Sequence, residues 1–157
     1  LLVGDTHQKP LFEQRAVALG LADRLHFLGR LDDVSDAYQA ADVLVHPTLE
    51  DSYAMVVLEA MAFGLPVIVS AYPWCGVAAS LMDGEHAVLL SQPKDASAVA
   101  AAIRRVLEDR RLHERLRDSG LAFASAHDWH HAALEYEKFY ESARSHTSWS
   151  HPTSNAG

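Results

Sequence analysis

Two carboxylates flank the start of an apolar segment near the middle of the chain. Asp51 and Glu59 stand eight positions apart in "HPTLEDSYAMVVLEAMAFGLPVI", residues 46–68. Glu59 is the one charged residue between Met55 and Phe63, a stretch that ends at Gly64 as helices commonly do. Because a helix rises about 1.5 Å per residue, Glu59 would lie about 6 Å along the axis from Met55. The two carboxylates would therefore bracket a ligand bound at the start of this helix.

The N-terminus of the same helix is a predicted anion site. Its unpaired backbone N–H groups and its dipole attract phosphate without a basic side chain. The formal net charge of −8 argues against a nucleic-acid-binding protein, which needs clustered Lys and Arg, but it is compatible with such a local site. With a diphosphate there, Glu59 could accept both ribose hydroxyls and Asp51 would lie on the side of the attached group.

Short apolar strands alternate with helices along the first 90 residues. The patterns predict strands at 1–3, 25–28, 43–45, 66–69 and 88–90, and helices after Pro10 and at 34–41 and 55–63. Such alternation requires crossover connections, so we expect an α/β fold, a Rossmann-like parallel sheet with helices on both faces. In sheets of this kind ligands bind at the carboxyl ends of the strands, where Asp51 would lie.

The rest of the chain is predicted to be helical. Asp95 is a candidate N-cap for a first helix, and two further helices follow with a break near His127 and Asp128. We expect one domain over residues 1–144 and a disordered tail over 145–157, where Ser, Thr and His dominate without any period. The chain begins on a strand without an initiating Met, which suggests a piece of a larger protein.

Composition narrows the remaining possibilities. The single cysteine, Cys75, cannot form an intrachain disulfide and favours a reducing cytoplasm. No apolar run reaches the roughly 18 residues of a membrane span. Because paired cysteines are lacking and most of the ten histidines are scattered, we expect neither a metal site nor another cofactor.

Several stretches together resemble one enzyme family. They are "LVGD" at Leu2, "AADVLVHP" from Ala40, "LEAMAFGLPVI" from Leu58 and "LMDGEHAVLL" from Leu81. They are similar to the C-terminal domain of retaining glycosyltransferases of family GT4, which have the GT-B fold and carry two acidic residues separated by seven others. The wording "DVSDAYQAADVLVHP", "VVLEAMAFGLPV" and "CGVAASL" resembles the glucosyltransferases that add glucose to a heptose of the lipopolysaccharide core.

The resemblance implies that this chain is the donor-binding half of a two-domain hexosyltransferase. The donor would be UDP-glucose, a substrate rather than a cofactor. The acceptor, a cell-envelope glycan or glycolipid such as the lipopolysaccharide core, would bind to a missing N-terminal domain. Transfer would retain the anomeric configuration without a metal, in a cytoplasmic enzyme peripheral to the inner membrane. No nucleic-acid partner is expected.

The family's site residues carry over onto matching positions of this sequence. Asp51 would contact the hydroxyls of the donor sugar as the catalytic carboxylate, and Glu59 would hold the ribose. The backbone of five residues would cradle the sugar and phosphates, namely Ser52, Tyr53, Ala54, Met55 and Val56. The base would lie against Phe27, Leu28 and Gly29.

The sequence departs from the family pattern at the site, and other functions stay open. The first acid is usually Glu, and Ser52 and Ala54 replace two common glycines. The family's basic pair precedes the first strand seen here, so we expect weak nucleotide binding and no turnover from this chain alone. Capping of the helix N-terminus is the alternative role for Asp51. The alternatives are another GT-B enzyme acting on UDP-sugars, of the epimerase or glycogen synthase type, and a non-catalytic Rossmann-like interaction domain with Glu59 as a solvated helix residue.

Overall fold

The computed structural model describes residues 1–4 and 7–146, without the side chains of residues 145 and 146. It contains the predicted alternation of strands and helices. In chain order the elements are β1 (Leu2–Val3), α1 (Lys9–Ala18), β2 (Phe27–Gly29), α2 (Ser35–Gln39), β3 (Leu44–His46), α3 (Met55–Ala62), β4 (Val67–Ser70), β5 (Val88–Leu90), α4 (Ala96–Glu108), α5 (Arg110–Ala126) and α6 (Trp129–His146). Short 3-10 turns at Ala22–Arg24 and Gly76–Ser80 complete the described secondary structure.

All strand pairs in the described part of the chain are parallel, as the sequence predicted. β1 pairs with β2, and β3, β4 and β5 form a second sheet in that order. The strands are thus divided between a two-stranded and a three-stranded sheet. The prediction ended the third strand at Val45, whereas the ladder extends one residue further because His46 is in register with Val69.

Helices cover both faces of the three-stranded sheet. Side chains of successive strand residues point to opposite faces. Val67 and Val69 of β4 therefore join a core cluster with α3, while Ile68 joins a second cluster with α4 and the start of α5. All four residues of β4 are buried. This is the arrangement of a Rossmann-like domain, and it fixes the position of the loops at the carboxyl edge of the sheet.

Helix α3 is held against α5 by small residues. It is followed by Gly64, whose φ of +71° is the left-handed conformation that favours glycine after a helix. On α5, a Cβ added to Gly120 would lie 3.2 Å from Cγ of Met61, so the absence of a side chain there permits the close approach. The helix that carries Glu59 is consequently packed along its inner face, which contains Val57, Leu58, Ala60 and Met61.

The helices at the end of the described chain begin at side-chain caps. Asp95 accepts a hydrogen bond of 2.8 Å from the N–H of Ser97, which confirms the predicted N-cap of α4. The break before the last helix falls at His127 and Asp128, as predicted. Helix α6 extends to His146, and residues 147–157 of the predicted tail lie outside the described residues. Among the described helices, none combines the length and apolar character that a membrane crossing requires.

Candidate functional site

The loop between β3 and α3 lies at the carboxyl edge of the three-stranded sheet. The N–H of Asp51 donates to the carbonyl of Trp74 at 3.0 Å, and the N–H of Gly76 donates to the carbonyl of Asp51 at 2.9 Å. Deeper in the sheet, the hydroxyl of fully buried Ser70 donates to the carbonyl of Thr48 at 2.6 Å. These bonds attach the β3–α3 loop to the end of β4 and to the loop that follows it.

The contact between these two loops leaves no space for an additional atom. A Cβ on Gly76 would lie 1.8 Å from the carbonyl oxygen of Ser52, well inside van der Waals contact. Next to it, Cys75 forms an isolated bridge with Asp51 and is fully buried. Burial, followed by the negative charge of Asp51, raises the pKa of the Cys75 thiol, so the thiol is protonated and unreactive.

Asp51 binds its own chain through both carboxylate oxygens. Oδ1 accepts from the N–H of Ala54 at 2.6 Å and from that of Tyr53 at 3.2 Å, while Oδ2 lies 3.1 Å from Nε2 of His46. Partial burial raises the pKa of Asp51, but the N–H of Ala54, His46 and the N–H of Tyr53 together bring it below its ordinary value of 3.8. The carboxylate is therefore ionised at neutral pH, and Nε2 of His46 donates the proton in their hydrogen bond.

Ala54 has the backbone conformation that glycine adopts most easily. Its φ of +57° and ψ of +65° are left-handed, which costs an L-residue other than glycine about 1 kcal/mol. The replacement of a common family glycine by Ala54 thus leaves the left-handed turn intact. Its N–H is held by Asp51, and its own side chain is buried.

The first turn of α3 is open to a ligand. Ala54 provides no side-chain cap, and the N–H of Val57 already donates to the carbonyl of Ala54 at 2.9 Å. Met55 and Val56 are 43% and 38% exposed, so the start of this helix faces solvent although its other face is in the core. Its first N–H groups, which no bond within a helix can satisfy, lie where the sequence predicted an anion site.

Glu59 has a partner that the sequence did not indicate. Its Oε2 accepts a hydrogen bond of 2.9 Å from the hydroxyl of Tyr38, 21 residues earlier in α2. The Tyr38 ring stacks on Phe63 with centroids 5.4 Å apart. Burial, together with the hydrogen bond and charge of Glu59, raises the pKa of Tyr38. The exposed Glu59 carboxylate is thus oriented from outside its own helix.

The segment predicted to contact the base lies in the other sheet. Phe27, Leu28 and Gly29 form β2 of the two-stranded sheet, whereas Asp51 and Glu59 adjoin the three-stranded one. Leu28 is 40% exposed, and Nζ of Lys9 lies 5.7 Å from the centroid of the Phe27 ring, within cation–π distance. The residues from Asp51 to Glu59 therefore adjoin one sheet, and the Phe27–Gly29 segment belongs to the other.

Sequence reasoning missed His46 and Tyr38. His46 is one of the ten histidines to which the sequence assigned no role, although its place at the end of a strand that leads into the Asp51 loop is a usable signal. Tyr38 carried no such signal, because its contact with Glu59 depends on how α2 packs beside α3. Within the described residues, no group of three or more His, Cys, Asp or Glu side chains could hold a metal ion.

The chain belongs to the family described as Glycosyl transferases group 1, whose model matches residues 1–109. This match confirms the family resemblance inferred from the motifs, and solved relatives of 28% and 30% identity share the fold, with TM-scores of 0.70 and 0.79. The fold is accordingly that of the Rossmann-like C-terminal domain of a GT-B glycosyltransferase.

Individual relatives differ in what their names say they act on. Lipopolysaccharide glucosyltransferase WaaG of Escherichia coli K12 is 30% identical over 117 residues, 74% of this chain and 31% of its own. D-inositol 3-phosphate glycosyltransferase of Geodermatophilus obscurus is 41% identical over 102 residues, 64% of this chain and 22% of its own. The structure of Anabaena HepE in complex with UDP-glucose, 25% identical, matches 92% of this chain and 40% of its own with a TM-score of 0.77. The chain thus spans a third or less of the length of the two curated relatives from Escherichia coli and Geodermatophilus obscurus.

Proposed function

We propose that the complete protein is a retaining glycosyltransferase and that residues 1–144 are its nucleotide-sugar-binding half. The observation that carries this proposal is the open first turn of α3, one turn before Glu59, in a chain of the glycosyl transferase family. An anion site and a carboxylate at this separation fit a nucleoside diphosphate. The diphosphate would bind the N–H groups of Met55 and Val56, and Glu59 would accept the ribose hydroxyls.

The proposed donor is UDP-glucose. Support comes from the relatives: Anabaena HepE is solved with UDP-glucose, and the Escherichia coli relative is a glucosyltransferase. The uracil would lie against the segment from Phe27 to Gly29. The chemistry would need neither a metal nor another cofactor, because helix N–H groups stabilise the charge of the departing diphosphate.

The proposed acceptor is a cell-envelope glycan, such as the lipopolysaccharide core, bound by an N-terminal domain outside this chain. The enzyme would work in the cytoplasm, peripheral to the inner membrane, with no nucleic-acid partner. A second candidate acceptor is an inositol phosphate, which the 41% identity to D-inositol 3-phosphate glycosyltransferase favours. Turnover of the full-length protein with each acceptor, in the presence of UDP-glucose, separates the two.

An amide-resolved NMR titration of this chain tests donor binding directly. UDP, GDP and ADP would each be added with and without an attached glucose. The comparison ranks the affinities for the three bases and separates the contribution of the sugar from that of the nucleotide. We expect UDP to shift amides in two stretches, 27–29 and 52–59. If nucleotide added to the full-length protein shifts none of these amide signals, the result would favour the interaction-domain alternative.

The variant Glu59→Ala tests the ribose contact. Hydrogen bonds to a charged group contribute about 1.5–3 kcal/mol, so the loss should weaken UDP binding about tenfold or more. Glu108→Ala is the matched control, since Glu108 is an exposed helical glutamate in α4. Equal affinities of the two variants for UDP would contradict the role proposed for Glu59.

A further inference from the structure

Asp51 has a partner in its own chain for every one of its hydrogen-bonding atoms. Its backbone N–H and carbonyl pair with Trp74 and Gly76 of the loop after β4. Its carboxylate pairs with the N–H groups of Tyr53 and Ala54, just before α3, through Oδ1 and with His46 through Oδ2. Through these bonds Asp51 connects the end of β3, the loop after β4 and the residues just before α3, so it has a structural role.

His46 is the fixed end of this arrangement. It is the last residue of β3, and the parallel ladder holds it in register with Val69 of fully buried β4. Its side chain is 26% exposed and that of Asp51 is 28% exposed, so the bond between them is partly shielded from water. The position of the Asp51 carboxylate is therefore tied to the sheet through His46.

Asp51 transmits this position to the left-handed residue before α3. The 2.6 Å bond from the N–H of Ala54 to Oδ1 holds the peptide that precedes the first helical residue. Because Ala54 pays a conformational cost at a φ of +57°, that turn needs an external restraint, which glycine would need less. The direction of the N–H groups of Met55 and Val56 then depends on Asp51.

We propose that His46 and Asp51 are a positioning pair that sets the turn at Ala54 and so aims the first N–H groups of α3. The link from this pair to the nucleotide rests on the function proposed above. The contact between His46 and Asp51 itself involves only residues of this chain.

The two roles of Asp51 give opposite binding patterns. A positioning pair acts on the diphosphate site, so Asp51→Ala should weaken UDP and UDP-glucose by the same factor. His46→Ala should reproduce that loss although His46 would touch no part of the donor. A sugar contact predicts instead a loss confined to UDP-glucose in Asp51→Ala and no effect of His46→Ala.

A double-mutant cycle with two readouts tests the proposal. His46→Ala, Asp51→Ala and the double variant would be compared for affinity to UDP and UDP-glucose and for hydrogen exchange of the Ala54 amide. We expect each single variant to weaken both ligands about five- to tenfold, and the double variant to be no weaker than Asp51→Ala. His46→Gln, whose side-chain N–H can donate, should recover most of the affinity; a purely steric role for the ring would give no recovery.

Hydrogen exchange keeps the test independent of nucleotide binding. Without ligand, the Ala54 amide should exchange about tenfold faster in both single variants, while the core amides of Ile68 and Leu116 keep their wild-type rates. Unchanged protection of Ala54, additive effects in the cycle or a loss confined to UDP-glucose would overturn the positioning pair. If Ala54 responds as expected while the wild type binds no UDP, the pair stands and the proposed function fails.

Discussion

Residues 1–46 and residues 54–126 of this chain are built very differently. In the first region Ala16 is the single described residue that is buried, whereas the second contains nearly all of the core. Apolar side chains are not what the first region lacks, since Leu2, Val3 and Leu11 are 43%, 44% and 59% exposed. What these three side chains lack is a second layer to bury them, whereas Tyr38, Ala41 and Leu44 of the same region pack against the core of the second region.

The sheets explain the contrast. β4 has a strand on each side and helices on both faces, so Val67, Ile68 and Val69 are all fully buried. β1 pairs with β2 alone among the described strands, and a two-stranded sheet gives little cooperative stability. We infer that the free energy of unfolding comes mainly from residues 54–126, and that the loop with Asp51 is attached to this stable region.

The largest difference between the regions is expected for a methyl group added to a glycine. Gly76→Ala places a Cβ 1.8 Å from a backbone oxygen of Ser52, which neither loop can avoid without moving, so we expect a loss of about 4 kcal/mol or complete unfolding. Gly20→Ala is the control in the first region. Nothing lies within 4 Å of its Cβ, and only the φ of +67° costs energy, about 1 kcal/mol.

Urea denaturation of both variants, followed by circular dichroism, measures this difference. Comparable losses in the two variants would mean that the two loops at Asp51 and Gly76 are not in the close contact on which the site depends.

A smaller difference is expected for matched leucines in helices. Leu116 of α5 is 1% exposed, and Leu116→Ala should cost about 3 kcal/mol through lost burial and the cavity that remains. Leu11→Ala, at an exposed position of α1, should change stability by less than about 0.5 kcal/mol. A cost above about 2 kcal/mol for Leu11→Ala, from the same denaturation curves, would show that the first region has a core of its own.

Local signals in the sequence were sufficient for much of the fold. Asp95 was identified as a cap from its own position, and the strand at 88–90 was delimited correctly because β-branched and apolar residues lie between turn signals. The cap and the strand each depend on a few consecutive residues, so a single sequence is enough to predict them. The alternation of strands and helices along the chain was enough to predict parallel pairing.

Features that depend on packing between distant residues were not accessible in the same way. The hydrogen bonds of Tyr38 to Glu59 and of Ser70 to Thr48 each join residues at least 20 positions apart. The division of the strands into two sheets likewise depends on packing along the whole chain. The position of Asp51 was predicted correctly at the edge of the sheet. The hydrogen-bond partners of Asp51 were not predicted, because a carboxylate in a loop can contact either a ligand or its own backbone. Only the turn at Ala54 favours contact with the backbone.

The smallest effect is expected at the one described side-chain hydrogen bond between the two regions. Tyr38→Phe keeps the ring on Phe63 but removes the hydroxyl that donates to Glu59, so we expect a loss of about 1 kcal/mol at pH 7. Tyr136→Phe is the control, because Tyr136 is 64% exposed on α6.

The pH dependence makes this last prediction specific to the hydroxyl. Because folding raises the pKa of Tyr38 above its ordinary value of 10.0, the unfolded chain releases the phenolic proton first. The stabilisation is then fully present below pH 10 and decreases as the pH rises above it. The stability difference between wild type and Tyr38→Phe should therefore shrink at higher pH. A difference that stays constant would assign the loss to packing of the ring, and a difference of zero at pH 7 would mean that this bond does not couple the two regions.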